Sequence, residues 1–147
     1  MIISIGSDHA GFLHKEALKH MLEDAGHTVI DVGPDTDDRV DYPDYGVAAA
    51  QLVANGQAQR GVVVCGSGIG ISIAANKVHG IRCANVTSVE MAQLARAHND
   101  ANMIALGERL TPIDVAKNIV QAFLDTPFEG GRHAQRVDKL NQLGGRS

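Results

Sequence analysis

The stretch Val62-Val63-Val64-Cys65-Gly66-Ser67-Gly68-Ile69-Gly70-Ile71-Ser72 decides the fold. Its β-branched run reads as a buried strand, its alternating glycines as a tight loop, and the Ala-rich pattern that follows as a helix. Glycines at the bend let backbone N–H groups turn toward a ligand. The helix N-terminus behind them favours negative charge, so the loop suits an anion or an oxyanion. Cys65 stands at the entrance, where a thiol is expected to be partly accessible and to have a lowered pKa. The bland alternative is a small buried residue ending a strand.

Working outward, the same unit recurs on both sides. Residues 2–6 read as a strand, followed by a helix with Leu18, Met21, Leu22 and Ala25 on one face and Gly26 as its stop. A second strand over 28–32 ends at Gly33-Pro34, and a polar loop fills 33–44, a length that tends to be functional. Asp44 is a candidate cap for the next helix, which runs to about 55–56. The strand at 62–65 is followed by a helix to about Lys77, then a fourth strand within 80–86. Thr87 or Ser88 caps the next helix, where Met91, Leu94, Ala95 and His98 share a stripe expected to face inward. A fifth strand spans 102–107, and Thr111-Pro112 opens a helix with Pro at its first position and Val115, Ile119, Ala122 and Phe123 as its apolar face. A last helix is expected over 132–143, with Arg132, Arg136 and Lys139 on one face. Strand and helix alternate five times, which predicts a three-layer α/β/α domain with a five-stranded parallel sheet. Ligands bind such sheets beyond the carboxyl ends of the strands. Those ends carry Ser7-Asp8-His9, Gly33, Cys65-Gly66-Ser67 and Gly107-Glu108-Arg109.

Bulk properties narrow the classes. A chain of 147 residues is one domain by length. With 13 basic and 17 acidic residues, its net charge of −4 argues against a nucleic-acid or anionic-membrane surface, while a local positive cluster could still hold a small anion. No apolar run is long enough to span a membrane and no signal peptide precedes the first strand, so a cytoplasmic protein is expected. Cys65 and Cys83 fall in or at inner strands and do not resemble a disulfide framework. The seven histidines lack metal-ligand spacing, so no metal is expected, and His14, His20, His27 and His79 read as surface residues.

Three further groups carry two readings each. Asp8-His9 could contact a sugar hydroxyl and an anion, or form a plain turn with Asp8 as cap. His98 could be a functional imidazole, a cation at a helix C-terminus, or a core residue satisfied by the backbone. Arg132 and Arg136, four apart beside Gly130-Gly131, could clamp a phosphate or line a solvated face, and Arg109 could add a third positive charge. Gly66–Gly70 lacks the phosphate-loop pattern of nucleotide-binding proteins, which weighs against a non-catalytic phosphate- or nucleotide-binding module.

Several segments together resemble one family. They are Gly6-Ser7-Asp8-His9-Ala10-Gly11-Phe12, Asp38-Arg39-Val40-Asp41-Tyr42-Pro43-Asp44-Tyr45, the stretch Cys65 to Lys77, Ala97-His98-Asn99-Asp100-Ala101-Asn102, Leu106-Gly107-Glu108-Arg109 and Phe128-Glu129-Gly130-Gly131-Arg132-His133. The sequence closely resembles B-type ribose-5-phosphate isomerases, a group that also includes galactose-6-phosphate and allose-6-phosphate isomerases. The resemblance implies interconversion of ribose 5-phosphate and ribulose 5-phosphate through a cis-enediolate, without metal or organic cofactor. It implies Cys65 as the base, His98 in ring opening, Ser67 in proton shuttling at O1, and Asp8, Tyr42 and Asn99 at the sugar. The Gly66, Gly68, Ile69 and Gly70 amides would form an anion hole, and His9, Arg109, Arg132 and Arg136 would meet the phosphate. It further implies a strand order of 2-1-3-5-4 and a homodimer or tetramer with its active sites at the subunit interface, where His98, Asn99 and Arg109 could serve the neighbour's site. Ser67 stands where many relatives have Thr, which keeps the hydroxyl. No carboxylate occurs in 69–72, where another branch of the family has its base, so Cys65 is the only candidate base in the loop. His133 and the 33–44 loop are where sugar chain length would be read.

Overall fold

The computed structural model describes residues 1–144. Five strands, β1 (Ile2–Ser7), β2 (Thr28–Asp31), β3 (Arg60–Cys65), β4 (Cys83–Asn85) and β5 (Met103–Gly107), form one parallel sheet in the order β2-β1-β3-β5-β4. The helices among the described residues are α1 (Phe12–Asp24), α2 (Tyr42–Ala54), α3 (Ile69–Asn76), α4 (Val89–Asn99), α5 (Ile113–Asp125) and α6 (Ala134–Gln142). The expected architecture and strand order are both present.

Strand alternation sorts the core into two halves. Ile3, Ile5, Val62, Val64, Ile104 and Leu106 pack against Leu18 and Leu22 of α1, Ala92 and Ala95 of α4, and Ile119 and Phe123 of α5. Val63, Cys65, Met103 and Ala105 point the other way, onto Ala49 and Ala50 of α2 and Ile71 and Ala75 of α3. Successive strand residues face opposite sides, so a sheet covered on both faces needs the continuous apolar run seen in β3. Close helix packing on the second face depends on Gly46, where a Cβ would lie 2.8 Å from Ile71.

Several local expectations are corrected. Helix α2 starts at Tyr42 with Asp41 at its N-cap, so Asp44 lies in the first turn rather than capping it. Pro112 is the N-cap of α5, one place before the first helical position, and Val115 is exposed at 37 %. Strand β4 is limited to Cys83–Asn85, and the last helix is split into a 3-10 turn, Gly131–His133, and α6. Arg132 and Arg136 therefore stand on consecutive elements instead of one α-helix. The inward stripe of α4 is also displaced: Met91 and Leu94 are exposed at 41 % and 43 %, while Ala92, Ala95, Arg96 and Ala97 are buried. Small side chains bring α4 close to its neighbours. Arg96 is satisfied there by Asp100 Oδ1 at 2.7 Å and the carbonyls of Ala101 and Thr126 at 2.8 and 3.2 Å. Ser88, one of the two expected caps, does accept from the Met91 amide at 3.1 Å.

Candidate active site

The carboxyl ends of β1, β3 and β5 meet at one cleft of about 300 Å³, lined by Asp8, His9, Ala10, Tyr42, Cys65, Gly66, Ser67, Gly70, Arg109 and Leu110. Backbone hydrogen bonds fix these ends to one another. The Asp8 amide donates to Val64 O at 3.2 Å, the Glu108 amide to Cys65 O at 2.9 Å and the Arg109 amide to Gly66 O at 3.1 Å. Gly107 permits this close approach, because a Cβ there would lie 2.6–2.8 Å from the Ser67 backbone.

Each side chain has a definite seat. Cys65 is buried, 4 % exposed, rather than partly accessible, and its sulfur receives the Gly68 N–H at 3.2 Å. Gly68 is left-handed at φ 79°, which turns that amide onto the thiol. Ser67 Oγ accepts the Ile69 N–H at 3.2 Å. Two of the amides expected in an anion hole, those of Gly68 and Ile69, thus serve the loop itself, and neither residue lines the cleft. Asp8 forms the expected turn cap, its Oδ1 accepting the Ala10 and Gly11 amides of the 3-10 turn His9–Gly11 at 2.9 and 3.1 Å, and the residue also lines the cleft. His9 is seated by the 33–44 loop, its Nδ1 lying 3.2 Å from the Val40 amide and 3.1 Å from the Val40 carbonyl. The Tyr42 ring covers Gly70, and the Arg109 guanidinium covers Gly66, with Nη1 3.0 Å from where a Cβ would stand.

His98, Asn99, Arg132 and Arg136 do not line this cleft. His98 stacks on His133, ring centroids 4.3 Å apart, with Glu129 Oε1 at 4.0 Å from His98 Nε2 and 3.7 Å from His133 Nε2. Burial, then the neighbouring His98 and Arg132, hold His133 below the ordinary imidazole value, against the pull of Glu129. Asn99 lines a different cavity of about 350 Å³, which also reaches Cys83, Arg82 and Leu140. Burial pushes the Cys83 thiol up to about 12, and both cysteines are free. The chain therefore carries two groups of candidate residues: the Cys65 cleft and the His98–His133 pair with its arginines.

Among the described residues, His98, Glu129 and His133 are the set of side chains that could hold a metal ion. Their rings are nearly parallel, 16° apart, so the nitrogen lone pairs run side by side instead of converging as tetrahedral ligands require. Sequence spacing does not show the whole group, because it is assembled from α4 and the segment after α5. A clue was available in Glu129 and His133 themselves, four apart across Gly130-Gly131. The sequence also misplaced His14, whose side chain is only 12 % exposed.

A five-stranded parallel sheet with a thiol, a glycine loop and an arginine at the carboxyl ends of its strands is the layout of an α/β protein that takes a small ligand there. The Ribose/Galactose Isomerase family model matches residues 3–140, and the chain belongs to that family of sugar-phosphate isomerases. It is 44 % identical over 141 residues to ribose-5-phosphate isomerase B of Escherichia coli, covering 96 % of this chain and 95 % of that protein. It is likewise 44 % identical over 139 residues to a galactose-6-phosphate isomerase subunit of Clostridium acetobutylicum, covering 95 % and 80 %. The solved structure of Clostridium thermocellum ribose-5-phosphate isomerase B superposes with a TM-score of 0.95 at 50 % identity, covering 97 % of this chain and 96 % of that one. No helix among the described residues is long and apolar enough to cross a membrane.

Proposed function

We propose that the protein interconverts ribose 5-phosphate and ribulose 5-phosphate through a cis-enediolate, with Cys65 as the base and His98 in ring opening. The observation that carries the reading is the single cleft holding Cys65, Ser67, Asp8, His9 and Arg109. In this scheme the Cys65 thiolate removes the C2 proton of the open-chain aldose, and the C1=O1 π electrons move onto O1. The thiol then returns the proton to C1. The second electron shift forms the C2=O2 carbonyl, while the O2 proton is transferred to O1 with the Ser67 hydroxyl as carrier. When Cys65 is ionised, the Gly68 N–H is the donor that meets its charge. The free Asp8 oxygen holds a sugar hydroxyl, and His9 and Arg109 meet the phosphate at the far end. Proton transfer next to a carbonyl needs a base and donors at the developing oxyanion, and no step calls on a metal or an organic cofactor.

A second copy of the chain completes this site. Its His98, Asn99, Arg132 and Arg136 would face the Cys65 cleft across a two-fold axis, with α3 and α4 in the contact. Ile69 and Ile73 on α3 are exposed at 54 % and 56 %, and Met91 and Leu94 of α4 at 41 % and 43 %, and a symmetric interface would bury such side chains. His133, held against His98, would then help to set the sugar length accepted.

The test is conversion of ribose 5-phosphate by chelator-treated protein, with turnover expected above roughly 1 per second. Cys65→Ala should fold and lose several orders of magnitude in rate, and near-normal activity would remove Cys65 as the base. Turnover confined to allose 6-phosphate, galactose 6-phosphate or a tetrose phosphate would keep the chemistry and change the substrate. Binding without turnover on any of them would replace the isomerase by a phosphate-binding module.

A further inference from the structure

The turn after β5 is held in an unusual way. The amides of Leu110 and Thr111 both donate to the Gly107 carbonyl, at 3.1 and 2.9 Å, and in this turn Arg109 lies over Gly66 while Glu108 reaches back to α1. The N-cap of α1 is Gly11, which has no side chain to satisfy the first amides of the helix. Glu108 supplies the missing acceptor from another element: its Oε1 takes the His14 N–H at 2.8 Å. The His14 ring folds over the same carboxylate, with Nδ1 at 3.4 Å from Oε1, and its Nε2–H donates to the Thr111 carbonyl at 2.8 Å. One residue of α1 thereby grips the turn at both ends, at 108 and at 111. The two residues between the grips, Arg109 and Leu110, are the ones that line the cleft.

We infer that His14 and Glu108 are positioning residues for Arg109. An arginine on a flexible stem loses rotamer freedom when it binds an anion, and a fixed backbone beneath it limits that loss. The backbone bonds from Glu108 to Cys65 O and from Arg109 to Gly66 O set the start of the turn. The His14 grip sets its far end, and with it the direction in which the Arg109 side chain leaves. Neither His14 nor Glu108 lines the cleft, so they act through Arg109 alone.

This inference rests on Arg109 being a phosphate ligand, and the experiment separates the two. Glu108→Ala should raise both KM for ribose 5-phosphate and the inhibition constant of inorganic phosphate about tenfold, or about 1.4 kcal/mol, with kcat changed less than about threefold. Glu108→Gln keeps a neutral acceptor for the His14 amide and should restore KM to within about threefold of wild type. In an Arg109→Ala background, Glu108→Ala should add nothing to either constant, because interacting residues are non-additive in a double-mutant cycle. The same tenfold rise with and without Arg109 would reduce Glu108 to a helix cap and overturn the inference, as would a fall in kcat with KM unmoved. Should Glu108→Ala fail to fold, the cycle is run with Glu108→Gln and His14→Ala, and additivity there overturns it equally. If Arg109→Ala alone leaves the phosphate inhibition constant unchanged, the phosphate assignment fails first and the positioning role falls with it.

Discussion

Lys15 is 0 % exposed, and replacing it with methionine gives a sharp test of how the sheet edge is held. Its ammonium lies 3.0 and 2.8 Å from the two Asp31 oxygens and 2.8 Å from Glu16 Oε1. Methionine fills most of the same space, so the loss is electrostatic rather than a cavity. Removing one partner of a buried pair costs about 3–5 kcal/mol, because a charge is left without compensation. Asp31 would keep Lys19 at 3.2 Å and the Gly33 amide at 2.8 Å, which places the expected cost near the lower bound, about 3 kcal/mol. That is a large part of a typical domain's stability. Urea unfolding at fixed protein concentration measures it without screening the charges. The pH dependence has a definite sign. Burial pulls the Asp31 carboxyl up, but the bonds from Lys15, Gly33 and Lys19 outweigh it and hold the group below its ordinary 3.8. A depressed acid stabilises fully above its unfolded value and loses that contribution as pH falls through the folded one. The stability gap between wild type and Asp31→Asn should therefore be constant near neutrality and close below pH 3.8. A Lys15→Met cost under about 1 kcal/mol, the worth of an exposed pair, or a gap that persists in acid, would refute the reasoning.

Two other outcomes follow from the same geometry. Gly107→Ala should destabilise by about 1–3 kcal/mol by forcing β5 away from the Ser67 backbone, and should lower kcat by more than its effect on stability explains; thermal unfolding beside steady-state kinetics would show a unimpaired kcat if the contact can relax. With its thiol pushed up to about 12, Cys83 should resist alkylation at pH 8 until the chain unfolds, and peptide mapping that found it modified in the native protein would contradict that upward shift.

The β3 stretch made the parallel sheet and its ligand edge legible, because a strand buried on both faces must be apolar at every position. What the sequence hid depends on partners far along the chain. Lys15 and His14 look like ordinary surface residues of a helix, and their distant partners Asp31, Glu108 and Thr111 account for their being covered. The phase of α4 was misread because large apolar side chains were taken for its core face. The core there is made of alanines, and Met91 and Leu94 are left outward. The separation of His98 from Cys65 could not be seen either, since spacing along one chain says nothing about which cleft a helix end reaches. The family resemblance supplies what spacing does not, since it implies a site at the subunit interface that His98 and Asn99 could reach from the neighbour, whereas Arg109 lines the Cys65 cleft of its own chain.

The hydrogen-bond ladder does not stop at the end of β5, since the amides of Glu108 and Arg109 continue it onto Cys65 O and Gly66 O. Those two rungs make the sheet a ruler. The thiol and the guanidinium are marks on neighbouring strands, and no side-chain rotation changes the backbone interval between them. A longer or shorter sugar cannot be accommodated by sliding Arg109 along β3 without breaking main-chain bonds. On the proposed reading, acceptance of four-, five- or six-carbon substrates would then be retuned elsewhere, through the 33–44 loop or the groups a second subunit would bring. The catalytic edge can then stay the same while the preferred sugar changes.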